Sequence, residues 1–250
     1  MHLRLLPLLV LTTLPGFAQT TGAFFFDGNL NNSGGGTFAM SLLGGSTSYT
    51  TATVFGQSKS VLSLSAGQGL GLTTSGLTSN TTYTVVMDVR TSEVIEYNKL
   101  LALDAGNVSD NGVYANNLNA VLLPSGGTGG ATLSANTWFR VALTYDGITA
   151  RLYSGTPGSL LEAATQGTNS YFQIANTVQL FKDDSATGGT EQFPVTVSAV
   201  WISNAALTQG QISALTAVPE PSTYAVIGGA AALGVAFLRR RAKRRGGRTC

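Results

Sequence analysis

Histidine and cysteine, the side chains behind many enzyme mechanisms, are almost absent from this chain. The only histidine is His2 and the only cysteine is Cys250, one at each end of the 250 residues. The residues between them therefore cannot form a Ser-His-Asp or Cys-His catalytic site, a zinc site with His or Cys ligands, or a disulfide. Carboxylate chemistry, oxygen-ligated calcium and plain binding remain.

Charge is also scarce, and it is unevenly distributed. Charged residues make up 10% of the chain, and seven of the 14 Lys and Arg residues lie beyond residue 238. Between Thr20 and Val218, six bases stand against 11 acids, a net charge of −5. Because an acidic body does not attract a phosphate backbone, we expect no nucleic-acid partner.

The N-terminal segment Met1–Ala18 has the features of a secretory signal peptide. Arg4 supplies positive charge, Leu5–Leu14 is apolar, and a small-x-small cleavage site ends the segment. The alternative, an uncleaved anchor, is disfavoured because the apolar run is short and interrupted by a proline. We expect cleavage between Ala18 and Gln19.

The C-terminal segment has three parts in a fixed order. Val218-Pro219-Glu220-Pro221 is followed by the apolar run Tyr224–Leu238 and by the arginine-rich residues 239–250. The two prolines cannot continue a helix or a sheet ladder, so the folded body must end before them. The apolar run predicts a single transmembrane helix that snorkelling arginines extend, with the basic end held in the cytoplasm.

This order of residues resembles the PEP-CTERM sorting signal of Gram-negative bacteria. In that family a membrane peptidase, exosortase, is thought to recognise and remove the signal, and such proteins often accompany exopolysaccharide production. The resemblance implies export through the inner membrane, a transient membrane anchor, and then residence on the outer surface or in the extracellular matrix. An ordinary C-terminal anchor with a chance pair of prolines is the alternative.

Short alternating segments fill the rest of the chain. Asp146-Gly147 predicts a hairpin, Thr208 and Gln211 fit a helix capping box, and Gly/Ser-rich Ser125–Gly130 predicts a flexible loop. One short helix is expected at about Gln209–Leu215. Strands are predicted at Ser48–Phe55, Ser60–Leu64, Thr82–Arg90, Lys99–Leu103, Thr137–Tyr145, Thr149–Tyr153, Val178–Phe181 and Val195–Ile202.

Many short strands with almost no helix predict an all-β antiparallel sandwich or jelly roll. Asp27-Gly28-Asn29, the Thr137–Gly147 segment with its partner Ala150–Gly155, and the closing segment Val197–Thr208 together resemble a concanavalin A-like, laminin G-like jelly roll. Lectins, glycan-binding modules, adhesion domains and some glycosidases share that fold, so the resemblance narrows the function without fixing it.

The predicted organisation has three parts. They are a signal peptide over 1–18, the jelly-roll domain over 19–217, and the sorting signal over 218–250, with its transmembrane helix at about 224–238 and its basic tail at 239–250.

Few residues suggest a catalytic or metal site. Glycosidases need two facing carboxylates, but Glu93 and Glu96 are three apart and would point to opposite faces of a strand. We therefore predict no catalytic residue and no required cofactor. Asp183 and Asp184 offer clustered oxygen ligands, so calcium is the metal that the sequence leaves open.

Aromatic residues could stack on sugar rings if they are exposed. Trp138 and Trp201 lie in alternating strands, where packing in the core or in a cross-strand pair is expected. Tyr97, Tyr114 and Tyr171 lie closer to loops and are better candidates for stacking on a sugar.

The sequence thus favours an exported, non-enzymatic module that binds or organises extracellular polysaccharide. Two alternatives stay open. One is a secreted carbohydrate-active enzyme that uses carboxylates in no recognisable motif, and the other is a structural adhesion or matrix protein with protein partners.

Overall fold

Two antiparallel β-sheets pack face to face in the computed structural model of the chain. The structure describes residues 22–34, 36–94, 96–104, 110–123, 127–168, 170–183, 188 and 190–216. The predicted signal-peptide cleavage at Ala18 and Gln19, the residue Asp184 and the motif Val218–Pro221 lie outside the described residues. The chain divides into two units, Met1–Leu215 and Thr216–Cys250.

Fifteen strands, one 3-10 turn and one short α-helix make up the described elements. In chain order they are β1 (Gly22–Phe24), β2 (Ala39–Leu43), β3 (Ser48–Val54), β4 (Gln57–Leu64), β5 (Gly69–Thr73), β6 (Tyr83–Thr91), β7 (Asn98–Ala102), β8 (Gly112–Asn116), β9 (Asn119–Leu123), β10 (Gly127–Gly129), β11 (Phe139–Tyr145), β12 (Ala150–Thr156), β13 (Ser159–Gln166), the 3-10 turn Ser170–Phe172, β14 (Thr177–Leu180), β15 (Val195–Ser203) and α1 (Gln209–Ser213).

The strands form a larger and a smaller sheet. The larger sheet has the order β13-β12-β11-β6-β15-β4-β3, with β1 paired to β15. The smaller sheet has the order β10-β9-β8-β7-β14-β5-β2. All the described strand pairings are antiparallel, which confirms the all-β antiparallel sandwich predicted from the sequence.

The main hydrophobic core lies between the two sheets. Strand β6 shows how it is built, because alternate residues of a strand point to opposite faces. Tyr83, Val85, Met87 and Val89 all belong to this core, as their alternation predicts. Tyr83 also donates a hydrogen bond from its hydroxyl to the carbonyl oxygen of Phe172 at 2.8 Å, so the buried phenol is satisfied.

A second, smaller cluster covers the outer face of the larger sheet. Val86 and Trp201 meet Leu207 and Ile212, which belong to the segment around α1. Thr208 caps this helix with the predicted capping box shared with Gln211. The helix ends at Ser213, two residues earlier than predicted, with Ala214 as its C-cap.

A buried ion pair lies beneath α1 and was not foreseen from the sequence. Arg140 is 2% exposed and Asp88 is fully buried, and they face each other across β11 and β6. Arg140 Nε donates to Asp88 Oδ1 at 2.7 Å and Nη2 donates to Oδ2 at 2.9 Å. Burial raises the pKa of Asp88, and the bonds and charge of Arg140 oppose that shift.

The predicted hairpin at Asp146-Gly147 joins β11 to β12. The backbone N–H groups of Thr149 and Ile148 donate to Asp146 Oδ1 at 2.6 and 2.9 Å. These bonds, and a weaker contribution from Arg151, hold the pKa of Asp146 below its ordinary value. The aspartate therefore fixes the turn chiefly through its charged form.

The prediction of a flexible loop over Ser125–Gly130 is wrong for Gly127–Gly129. These residues form β10, which pairs with β9 at the edge of the smaller sheet. A Cβ atom at Gly129 would lie 2.9 Å from the carbonyl oxygen of Ala163, so glycine allows β10 to approach β13 closely. The glycines that suggested a loop instead permit this packing.

Candidate functional site

A row of polar residues crosses the outer face of the larger sheet at one end. Arg90 on β6 pairs with Thr196 on β15, Thr196 pairs with Ser63 on β4, and Ser63 pairs with Ser48 on the edge strand β3. Directly paired residues of neighbouring strands share one face. This face is the outer one, because the neighbouring Val89 belongs to the core between the sheets.

The polar row lines a cleft of about 480 Å³. Loop residues around the end of the sheet add further hydroxyl and amide groups to its wall. They include Ser46, Ser65, Gln68, Ser92 and Asn136. Apart from Leu64, Pro194, Val195 and backbone groups, the wall is thus made of neutral hydrogen-bonding side chains and one guanidinium.

Gln68 is fixed in position at the rim of the cleft. Its Oε1 accepts a hydrogen bond from the backbone N–H of Ser65 at 2.7 Å, and its Nε2 donates to the carbonyl oxygen of Ser46 at 3.2 Å. An amide offers four hydrogen-bonding positions, so each of its two polar atoms retains capacity for a ligand. Because the side chain is already held, binding a ligand costs little of its rotamer entropy.

Arg90 and Trp138 form a cation–π pair beside the cleft. The guanidinium carbon of Arg90 lies 5.3 Å from the Trp138 ring centroid, and both side chains are half-buried. They become neighbours because Phe139 pairs with Val89, which brings the preceding tryptophan beside the following arginine. A cross-strand pair is one of the two arrangements that the sequence predicts for Trp138, the other being packing in the core.

Arg90 differs from the other arginines of the body in its partners. Arg140 and Arg151 each pair with an aspartate. Within the described part of the chain, Arg90 belongs to no ion pair. The cleft therefore carries one positive charge that the described residues do not neutralise.

The described residues that line the cleft include no aspartate or glutamate. Glu93 and Glu96 lie in the loop between β6 and β7, where Glu93 is half-buried and Glu96 is exposed. A glycosidase of the usual kind needs two carboxylates about 5 to 9.5 Å apart across its substrate. What this wall can do is exchange hydrogen bonds with a ligand and hold an anion.

The tyrosines predicted to stack on sugars lie in different surroundings from the cleft. Tyr114 is fully buried, with Lys99 Nζ 4.9 Å from its ring centroid, and its hydroxyl donates to Asp110 Oδ1 at 2.5 Å. It is therefore not available for stacking, and that prediction is wrong. Tyr97 packs edge-on against it at 5.6 Å, whereas Tyr171 is 52% exposed on the 3-10 turn.

Trp201 is buried, as predicted, with 2% of its surface exposed. It lies outside the main core, in the outer cluster beneath α1. The guanidinium carbon of Arg140 is 5.0 Å from its ring centroid, and Phe25 packs edge-on at 5.8 Å. This tryptophan therefore stabilises the sheet and helix and is closed to a ligand.

Asp183, the described half of the predicted calcium pair, is almost completely buried. Its Oδ2 accepts a hydrogen bond from the backbone N–H of Glu191 at 2.9 Å. Among the residues that the structure describes, no three His, Cys, Asp or Glu side chains are grouped so that they could hold a metal ion. Calcium binding stays a prediction of the sequence.

Several solved structures are similar to this chain at low sequence identity. Domain 4 of the extracellular arabinanase AbnA from Geobacillus stearothermophilus, solved with arabinotriose, matches with a TM-score of 0.53 and 19% identity over 78% of this chain and 97% of that one. The receptor binding domain of botulinum neurotoxin type G matches with 0.53 and 12% over 78% and 50%. A mutant of Trypanosoma rangeli sialidase displaying trans-sialidase activity matches with 0.53 and 15% over 78% and 32%. At these identities the likeness shows the fold alone, a two-sheet β-sandwich.

A sorting motif in the C-terminal segment says more about the fate of the protein than the fold does. Residues 217–241 match the PEP-CTERM protein-sorting motif, which confirms the sorting signal predicted from the sequence. The motif indicates an exported protein that is sorted to the cell envelope or surface. No curated protein sequence matches the chain. In the described residues, no helix has both the length and the apolar character needed to cross a membrane.

Proposed function

We propose that this protein is an exported, non-enzymatic jelly-roll module of the concanavalin A-like, laminin G-like kind that binds or organises extracellular polysaccharide. The cleft on the larger sheet is the observation that carries the proposal. Its wall presents serine and threonine hydroxyls, the fixed amide of Gln68 and the guanidinium of Arg90, and the Trp138 ring lies beside it. These groups match the dense hydroxyls and the apolar ring faces of a sugar chain.

The sorting motif supports the same proposal from the other end of the chain. An exosortase-type peptidase that removes the segment after Pro221 would release the module from the inner membrane to the outer surface or matrix. Polysaccharide is a ligand that such a module meets there. The sandwich of AbnA domain 4, which has the same fold, was solved with an arabinose oligosaccharide.

A glycan array with the exported protein, run with and without calcium, tests the proposal. Ser48 lines the cleft, and Ser48→Trp would fill it with a large ring. Thr51→Trp is the matched control, because Thr51 is exposed on the same edge strand but points to the other face. We expect wild type and Thr51→Trp to bind the same glycans and Ser48→Trp to lose them.

Three other outcomes would change this account. Cleavage of the arrayed glycans would favour the alternative of a carbohydrate-active enzyme. Binding that Ser48→Trp leaves intact would move the glycan site away from the cleft. Signals that appear only with calcium would support the predicted ion site near Asp183.

A structural or adhesive role is the second candidate, and the edge strand β3 favours it. Ser48–Val54 contains no charge and no proline. Natural edge strands usually carry such residues to prevent pairing with another chain. Thr51→Lys should then reduce self-association, measured by sedimentation velocity, whereas a wild-type chain that stays monomeric at high concentration would remove this candidate.

A further inference from the structure

We infer that the cleft binds an anionic saccharide, with Arg90 holding the carboxylate or sulfate group of one sugar residue. The inference rests on the proposed function and deepens it by naming the class of ligand. Polysaccharides contain neutral sugars, uronic acids and sulfated sugars. The positive charge of the wall favours uronic acids and sulfated sugars, which are anionic, over neutral sugars.

The charge balance of the cleft is the first argument. Arg90 is the one charged side chain among the described residues of the wall, and all the other polar groups there are neutral. It is half-buried and joins no ion pair with a described residue. A partly desolvated guanidinium interacts strongly with an anion, because the local dielectric constant is lower than that of water. An anionic ligand would supply the missing counter-charge.

The geometry around Arg90 is the second argument. The guanidinium carbon of Arg90 lies over the Trp138 ring at 5.3 Å from its centroid. The five N–H donors of a guanidinium lie in its own plane, in the fork that binds carboxylates and sulfates with two parallel bonds. The tryptophan also restricts the motion of the arginine. Less conformational entropy is therefore lost when an anion binds.

The polar row indicates how long a ligand the cleft can bind. From Arg90, the row continues through Thr196 and Ser63 to Ser48 across three strand spacings, about 14 Å. Hydroxyls along this line can bind neutral hydroxyl groups of the sugars next to the anionic one. The site thus suits a short acidic oligosaccharide better than a free small anion.

The rest of the domain argues against a polyanion held by charge alone. The body between residues 20 and 218 has a net charge of −5, so its overall field repels anions. Recognition must then depend on the local fork of Arg90 together with the hydroxyls. We therefore expect a selective site that accepts acidic sugars in one position.

The test is isothermal titration of the full chain, purified in mild detergent, with three oligosaccharides of equal length. One is an oligogalacturonate, the second is its carboxyl-reduced neutral form, and the third is a sulfated galactan. We expect at least one charged ligand to bind about tenfold or more tightly than the neutral one, the size of effect of a charge-assisted bidentate bond. The stronger of the two charged ligands identifies carboxylate or sulfate as the preferred anion.

Variants assign that preference to Arg90. Arg90→Gln should abolish the difference between charged and neutral ligands, and Arg90→Lys should keep only part of it because lysine lacks the fork. Arg151→Gln is the matched control. It removes the same charge from the same sheet, but Arg151 already pairs with Asp146 in the hairpin at the other end of β11.

The outcomes separate the inference from the proposed function. Equal binding of charged and neutral ligands, unchanged in Arg90→Gln, would overturn the inference and leave polysaccharide binding intact. A charge preference that Arg151→Gln loses as readily as Arg90→Gln would overturn it too, because the effect would then be general electrostatics. Absence of binding by all three ligands would contradict both.

Discussion

Arg140 is the residue that connects the larger sheet to the end of the folded body. Besides its two bonds to Asp88, its Nη1 donates to the carbonyl oxygens of Ile212 and Leu215 at 2.7 and 2.9 Å. Its guanidinium also lies over Trp201. One side chain therefore satisfies a buried carboxylate and two carbonyls, one in the last turn of α1 and one just after it, where free carbonyls need a partner.

Removing Arg140 alone should be strongly destabilising. Arg140→Met leaves the carboxylate of Asp88 buried without its partner, which should cost about 3 to 5 kcal/mol of unfolding free energy. The double variant with Asp88→Leu removes both charges and should recover part of that loss, because the carbonyls of Ile212 and Leu215 still lack the Arg140 donor. Urea denaturation of wild type, Arg140→Met, Asp88→Leu and the double variant measures this, and a double variant no more stable than Arg140→Met would show that the pair is not the cause.

The two tryptophans, Trp201 and Trp138, should differ in what they contribute to stability and to glycan binding. Trp201 is buried in the outer cluster, so Trp201→Ala should cost about 3 to 5 kcal/mol. Trp138 is half-buried, so Trp138→Ala should cost less stability but weaken glycan binding at the cleft. A Trp201→Ala protein that melts like wild type yet no longer binds glycan would reverse these two assignments.

At the scale of the elements, the hairpin between β11 and β12 should respond to acid. The pKa of Asp146 is lowered in the folded protein by the backbone bonds from Thr149 and Ile148. Its contribution is therefore complete above the unfolded pKa of about 3.9 and is lost as the pH falls through the lower folded value. The side chain is partly exposed, so solvent screening keeps the effect small.

Asp146→Asn isolates this contribution because the asparagine does not titrate. The variant should be less stable than wild type at pH 7, and the difference should shrink as the pH falls below about 4. Denaturant titrations at several pH values provide the measurement. A difference that stays constant over the whole acid range would mean that the charge of Asp146 has no part in holding the turn.

The elements also show what the sequence could and could not predict. Strands with alternating β-branched or aromatic residues, such as β6 and β11, were predicted within two residues of their ends. Glycine-containing strands such as β5 and β8 were missed. The close approach at β5 comes from a neighbour distant in sequence, since a Cβ atom at Gly69 would lie 2.7 Å from the carbonyl oxygen of Leu180. The local composition of a segment cannot reveal such a neighbour, so these strands could not be predicted from it.

The candidate site could not be predicted for a related reason. Each residue of the polar row is an ordinary serine, threonine or arginine in the sequence, at least 15 positions from the others. The pairing of β6, β15, β4 and β3 brings these residues into one line. Trp138 was expected in the core or in a cross-strand pair, and its partner Arg90 emerges only from the register of β11 on β6.

For the whole molecule, the sorting motif predicts processing of the C-terminus. The mature protein should end near Pro219-Glu220-Pro221, because the prolines provide an extended stretch that a peptidase can bind. Replacing Pro219 or Glu220 should leave the full-length form in the inner membrane. Intact-mass analysis of the exported protein decides this, and a mature species that still carries residues 239–250 in cells with exosortase would contradict it.

The central claim is that this exported sandwich binds polysaccharide through the cleft on its larger sheet. The most direct measurement is co-sedimentation of the exported protein with extracellular polysaccharide. The polysaccharide is isolated from the cells that produce this protein. Wild type and Thr51→Trp should sediment with the polysaccharide, Ser48→Trp should stay largely in solution, and Arg90→Gln should sediment less than wild type. Wild-type protein that remains in the supernatant, or four proteins that sediment alike, would contradict the claim.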